Sequence, residues 1–138
     1  MSGEILGVTP VQAGILFHEQ QEPGSYVNHL DLELTGPLDI AAFAAAAERV
    51  CRRHETFRTS FHTDAADEPL VLVHDHAPGL VHVHDADVDI AGLRAEPIDL
   101  ARPGLSRIHI VARGPQRTRI LWTHHHLILD GWSVALVL

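Results

Sequence analysis

Between Arg117 and Ser133 the chain changes its structural period within a few residues, and few architectures accommodate such a change. Arg117-Thr118-Arg119-Ile120-Leu121-Trp122-Thr123-His124-His125-His126 reads as a strand. Leu127-Ile128-Leu129 and Asp130-Gly131 follow, and a helix opens at Trp132. This order needs a sheet edge that presents the last histidine and a helix packed directly behind it. Alternation separates the three histidines: His124 and His126 share one face, while His125 points the other way with Leu127. A histidine at a strand end is well placed to accept a proton from an amine or a hydroxyl. Asp130 stands at a helix start, where N–H groups and the helix dipole keep it ionised, so it reads as a brace and not as a base. The competing reading is a buried strand whose histidines are satisfied by backbone carbonyls.

The rest of the chain supplies that sheet and its helices. Thr9 to Gln20 reads as a helix, with Thr9 as N-cap, Pro10 at the first position and Gln12 completing a capping box. Val11, Ile15, Leu16 and Phe17 form its expected apolar stripe, and Glu22-Pro23-Gly24 ends it. Tyr26 to Leu34 alternates as a strand, with His29, Asp31 and Glu33 opposite Leu30, Leu32 and Leu34. Asp39 caps an alanine-rich helix that runs through Ile40, Phe43, Ala47, Val50 and Cys51. Strands are expected over 57–63, 69–75 and 80–85, with Pro78-Gly79 as the turn between the last two. A short helix is expected at 90–95. Leu105 to Ala112 and Arg117 to His126 read as a hairpin across Arg113-Gly114-Pro115-Gln116. The pattern is α+β, a mixed sheet flanked by helices.

Composition closes off several function classes. With 138 residues, 46% apolar and 20% charged, the chain has one domain's worth of globular sequence. All ten basic residues are arginine, and the net charge of −8 leaves no basic stripe for a nucleic acid. No apolar run approaches the roughly 20 residues of a membrane span, and Met1-Ser2-Gly3-Glu4 lacks the basic start of a secretory signal. The lone Cys51 forms no internal disulfide, so a cytoplasmic protein is expected. It reads as a small core filler on the alanine-rich helix.

Twelve histidines invite a metal reading. His74, His76, His82 and His84 flank one turn beside Asp75 and Asp85. The simpler expectation puts Val81 and Val83 toward the core and His82 and His84 outward, with no metal bound. Asp64, Asp67 and Glu68 read as a solvated loop, and Tyr26 and Trp122 as core residues.

Three ordered segments carry a resemblance. Pro10-Val11-Gln12-Ala13-Gly14-Ile15-Leu16-Phe17-His18 opens the chain. Arg53-His54-Glu55-Thr56-Phe57-Arg58-Thr59-Ser60-Phe61 resembles R-H-E-x-L-R-T-x-F, with Phe57 in place of leucine. His125-His126-Leu127-Ile128-Leu129-Asp130-Gly131-Trp132-Ser133 resembles H-H-x-x-x-D-G-W-S. Together, and with Ile98-Asp99-Leu100 to Leu105-Ser106-Arg107, they resemble the first core motifs of nonribosomal peptide synthetase condensation domains.

The resemblance implies a chloramphenicol acetyltransferase-like fold of two lobes meeting at a tunnel. It implies two carrier-protein partners, donor and acceptor, whose phosphopantetheine arms bring the substrates, and an adenylation domain in the same synthetase. No cofactor bound directly to this chain is implied. The acceptor amine attacks the donor thioester and a peptide bond forms. His126 matches the active-site histidine, as general base or as a group that orients the amine. His125 and Asp130 match structural members, Gly131 lets the backbone approach the reacting groups, and Trp132 supports the helix start. Arg58 is the expected ion-pair partner of Asp130. The P-x-Q-x-G-x-L-F-H opening is closest to condensation domains with a D-configured donor or to dual condensation–epimerisation domains. An epimerisation domain and a non-catalytic carrier-binding relative are the alternatives. All three motifs fall in the first third of such a domain, and the chain stops inside an apolar helix. Residues 1–138 are therefore expected to be a truncated first lobe lacking its C-terminal partner lobe, poorly soluble and inactive alone.

Overall fold

The computed structural model describes residues 3–64, 66–77 and 79–138. Along the chain run β1 (Glu4–Gly7), α1 (Pro10–Gln21), β2 (Val27–Thr35), α2 (Ile40–Arg53), a 3-10 turn (Glu55–Arg58), β3 (Thr59–His62) and β4 (Leu70–Val73). Then come β5 (Val81–His84), α3 (Ile90–Ala95), β6 (Ser106–Ala112), β7 (Arg117–His125) and α4 (Gly131–Val137). The strands make two sheets, one in the order β1-β4-β3 and one in the order β2-β7-β6-β5. The second is mixed, because β5 joins β6 in parallel while the other pairs are antiparallel.

Sequence chemistry explains the long elements. Thr9 accepts the Gln12 amide and Gln12 Oε1 accepts the Thr9 amide, so the capping box forms as expected. Asp39 Oδ1 accepts the Ala42 amide at 3.0 Å and starts α2. One face of the second sheet presents Leu30, Leu32, Leu34, Ile108, Ile120 and Trp122. Across an apolar pocket of ≈ 340 Å³ it meets Phe43, Ala47, Val50 and Cys51 of α2. Small alanines let the helix approach the sheet. Cys51 is buried there, and burial pushes its thiol up to about 11, which fits the core-filler reading. The opposite face is polar along β2. Asp31 takes two hydrogen bonds from Arg119, at 2.8 and 2.6 Å, and one from Arg94 of α3 at 2.7 Å. The Arg119 hydrogen bonds hold the Asp31 carboxyl below its ordinary value, against the opposing effect of burial.

The structure departs from the sequence-based expectations in several elements, and Phe57 and Arg58, expected in a strand, belong to the 3-10 turn. β1 is an additional strand, because four residues with Ile5 65% exposed carry no alternation to read. The strands at 70–73 and 81–84 do not form a hairpin. Both edges of β4 are occupied, by β1 and by β3, so β5 crosses to the other sheet. Pro78, half of the expected turn, lies outside the described residues, as do Met1 and Ser2. Val83 is 55% exposed and not a core residue, since β5 is an edge strand. On α1, Val11 and Phe17 point to solvent. The inward line is Gln12, Ile15, Leu16 and Glu19, spaced i, i+3, i+4, i+7, with polar residues at both ends.

The buried Trp122 indole donates to Ser106 Oγ at 2.8 Å across β6 and β7. Ser106→Ala orphans that N–H in a dry site and is expected to cost about 1–3 kcal/mol of stability. Chemical denaturation followed by tryptophan fluorescence measures it, and an unchanged midpoint would refute the assignment.

Candidate active site

The turn after β7 is held from both other motif segments. Leu127, Ile128 and Leu129 are all buried in the main core cluster, so the turn cannot swing out without exposing three large side chains. Gln12 Nε2, from α1, donates to the Leu127 carbonyl at 3.2 Å. Thr56 Oγ1, from the 3-10 turn, donates to the Ile128 carbonyl at 2.7 Å. Three segments far apart in sequence therefore meet at one backbone turn. The sequence pattern assigns Gln12 only a capping role and Thr56 none. The available signal is a polar residue on the inward line of α1.

His125 is the anchor of the turn. It is 1% exposed and lies on the face opposite His124, as alternation requires. Its Nδ1 accepts the Leu127 amide at 3.1 Å, which leaves the proton on Nε2. Nε2 lies 3.0 Å from Glu19 Oε1, off the ideal hydrogen-bond line, so this contact is mainly electrostatic. Burial raises the Glu19 carboxyl, but the Gly24 and Tyr26 amides, with His125, outweigh it and hold the group below its ordinary value. Burial also lowers His125, against the attraction of Glu19. Both shifts run downward, so the pair is a carboxylate facing a neutral imidazole. Sequence reasoning misses Glu19 because a buried glutamate on an apolar stripe looks like an exposed one.

His126 differs from its neighbour in every respect. It is partly exposed, and its amide donates to the Tyr26 carbonyl at 2.9 Å, extending the β2–β7 pairing by one residue. Among the described residues, nothing hydrogen-bonds its ring nitrogens. The Tyr26 ring lies nearly parallel to it, with centroids 6.3 Å apart. Tyr26 itself is only partly buried against the core, whereas Trp122 is fully inside it. Asp130 is exposed and caps α4, accepting the Ser133 amide at 2.7 Å. That bond holds its carboxyl below the ordinary value, and His126 contributes in the same direction. Gly131 is the first residue of α4, with open space where a Cβ would be, and Trp132 is 78% exposed.

The expected Arg58–Asp130 pair does not form. Arg58 donates to the His74 carbonyl at 2.6 Å and to Glu55 at 3.3 Å. The 3-10 turn commits its guanidinium to the chain leaving β4, and Asp130 is satisfied by its own helix.

Of the other histidines, His29 Nδ1 shares a hydrogen bond of 2.8 Å with Thr123 Oγ1, whereas the buried His124 lies beside the Trp122 ring and its Nδ1 has no hydrogen-bond partner among the described residues. Ser60 Oγ bridges His62 and His74, at 2.9 and 2.7 Å. His84 Nε2 and His109 Nδ1 are 2.9 Å apart, and His82 lies over His109 with ring centroids 5.3 Å apart. His82 and His84 therefore share a face, but their neighbour is His109 and not the 74–76 segment. Among the described residues, no group of three or more histidine, cysteine or carboxylate side chains could hold a metal ion.

The condensation domain family model matches residues 3–138, which takes in the whole of this site. The chain belongs to the condensation domain family. It is 31% identical to a mycosubtilin synthase subunit from Bacillus subtilis, over 96% of its own length and 6% of that protein's. It is also 31% identical to bacitracin synthase 3 from Bacillus licheniformis, over 98% of this chain and 2% of the relative. The first condensation domain of the calcium-dependent antibiotic synthetase, solved with a substrate analogue, superimposes with a TM-score of 0.82 at 28% identity. That match covers 97% of this chain and 35% of the solved one. The chain thus spans about a third of that solved chain and under a tenth of these curated relatives. The chloramphenicol acetyltransferase-like α+β class expected from sequence is the fold observed. No described helix is long and apolar enough to cross a membrane.

The buried polar groups of this condensation domain set its stability and its response to pH. Glu19→Ala strands two amides and removes the carboxylate that faces the His125 N–H, and is expected to cost about 2–4 kcal/mol in chemical denaturation; a loss under about 0.5 kcal/mol would refute the anchor. Burial pushes both His109 and His124 down to about 4, from an ordinary 6.5. Between those pH values the unfolded chain binds protons that the fold refuses, so stability falls as pH drops through the window. A loss on the order of 3 kcal/mol for each of the two histidines is expected between about pH 7 and pH 4. A flat denaturation midpoint across that range would contradict it.

Proposed function

We propose that this chain is the first-lobe part of a nonribosomal peptide synthetase condensation domain, and that the parent domain joins two carrier-bound substrates through an amide bond. The observation that carries the reading is the contrast at the turn. His125 is buried, neutral and fixed, while the adjacent His126 has a free ring at the end of the same strand. Such a pair separates the scaffold role from the reacting role.

On this reading, the nitrogen of the acceptor aminoacyl thioester attacks the carbonyl carbon of the donor acyl or peptidyl thioester. The C–N bond forms and the C–S bond breaks. His126 either takes the proton leaving the nitrogen or orients the amine for attack, and the departing donor thiolate ends as a thiol. Both substrates ride on phosphopantetheine arms of donor and acceptor carrier proteins, and an adenylation domain of the same synthetase supplies the activated acceptor. His125 holds the turn, Asp130 fixes the start of α4, and Gly131 leaves room beside them. Trp132 lies on the exposed side of that helix start. On this reading the 138 residues alone form no amide, because the opposite tunnel wall would come from a second lobe of the parent domain. The proline–glutamine–glycine opening supports a D-configured donor or a dual condensation–epimerisation subtype.

The test is amide formation between two loaded carriers by the full-length domain. His126→Ala is expected to reduce product by about 10²–10⁴-fold; undiminished product would overturn the role. Exchange of the donor α-hydrogen with solvent, without amide formation, would favour an epimerisation domain instead.

A further inference from the structure

Tyr26 touches the site at four points. Its amide donates to Glu19 Oε1 at 3.1 Å. Its carbonyl accepts the His126 amide at 2.9 Å. Its ring lies within 14° of parallel to the His126 ring. Its hydroxyl shares a hydrogen bond of 2.8 Å with His18 Nδ1, and those two rings lie within 7° of parallel. The body of Tyr26 packs against the main core cluster. His18 comes from the second half of α1, so the position of the phenol is tied to two parts of the fold, α1 and the entry to β2.

His126 is the part of this arrangement that lacks such ties. Its backbone is fixed, but no described residue hydrogen-bonds its ring. The last torsion of a histidine side chain is broad when nothing holds it. A reacting group needs a narrower range than that, because small misalignments at the reacting atoms cost large factors in rate. Among the described residues, the Tyr26 ring is the aromatic surface set nearly parallel to the imidazole.

We propose that Tyr26, with its own ring oriented by the hydrogen bond to His18, is a positioning residue that sets the orientation of the His126 imidazole. This rests on His126 being the histidine at the reacting amine. The flat phenol face restricts the imidazole torsion, and the His18 bond restricts the phenol in turn. The chain of contact is α1 to His18, His18 to Tyr26, and Tyr26 to His126.

The test uses the full-length domain and two loaded carriers. Tyr26→Leu is expected to lower kcat about 10–100-fold, with KM for the loaded acceptor carrier within about twofold of wild type. Tyr26→Phe keeps the ring and loses only the His18 bond, so it should show a smaller loss, about two- to fivefold relative to wild type. His18→Ala breaks the same bond, should match Tyr26→Phe, and should add nothing to it in the double variant. In a His126→Ala background, Tyr26→Leu should cause no further loss.

Unchanged kcat in Tyr26→Leu overturns the proposal, as does an equal loss with and without His126, which marks a merely structural residue. Should Tyr26→Leu fail to fold, Tyr26→Phe and His18→Ala decide: equal, non-additive losses support the proposal, and the absence of loss overturns it. Full activity in His126→Ala overturns the proposed function and this inference together. A dead His126→Ala beside an active Tyr26→Leu removes this inference alone.

Discussion

Glu19 and His125 form the contact on which the site depends. A glutamate 8% exposed and a histidine 1% exposed are expensive to bury unless their polar atoms are used. Here they are. Glu19 accepts two backbone amides from the loop entering β2 and faces the His125 N–H, while the other His125 nitrogen accepts the Leu127 amide. Four pieces of chain, α1, the 24–26 loop, the end of β7 and the turn after it, are thereby fixed to one another. Because the imidazole stays neutral, the arrangement carries one buried charge and not two. The amide dipoles stabilise that charge, which avoids the desolvation cost of a fully ionised pair.

This anchor explains how adjacent histidines on one strand acquire different roles. Alternation turns His125 inward and His126 toward the opposite face, and the strand ends between them. The inward histidine accepts the Leu127 amide on Nδ1 and turns Nε2 toward Glu19. The outward one gives its backbone amide to the Tyr26 carbonyl, and no described residue hydrogen-bonds its ring.

The strand-turn-helix around the histidines is legible in the sequence because its signals are local: alternation, a capping aspartate and an apolar turn. The same holds for α2 and for the Ser106–Ala112 and Arg117–His125 hairpin. Sheet assignment is not legible. The pairing of β4 and β5 depends on which edges β1 and β3 already occupy, and β1, at the start of the chain, is distant in sequence from β5. Half of the site is hidden for a related reason. Gln12, Thr56 and Glu19 act through backbone groups of Leu127, Ile128 and Tyr26, and a backbone carbonyl or amide leaves no residue-specific mark for a sequence reader. His125, His126 and Asp130 stand out because a motif names them.

The Arg58 expectation fails for an instructive reason. Pairing a motif arginine with a motif aspartate assumes that the turn needs a charge clamp. Instead, Asp130 is occupied by the Ser133 amide, and the turn is held by neutral donors, Gln12 and Thr56, on its backbone carbonyls. Exposed ion pairs weaken as salt rises, whereas neutral hydrogen bonds to a buried turn are screened very little. Arg58 serves the rim, joining the 3-10 turn to the chain leaving β4 through His74 and Glu55. The geometry around His126 is therefore insulated from ionic strength. Asp130, on the exposed start of α4, places a charge that faces solvent near His126, so the electrostatic surroundings of that ring can vary without loosening the turn behind it.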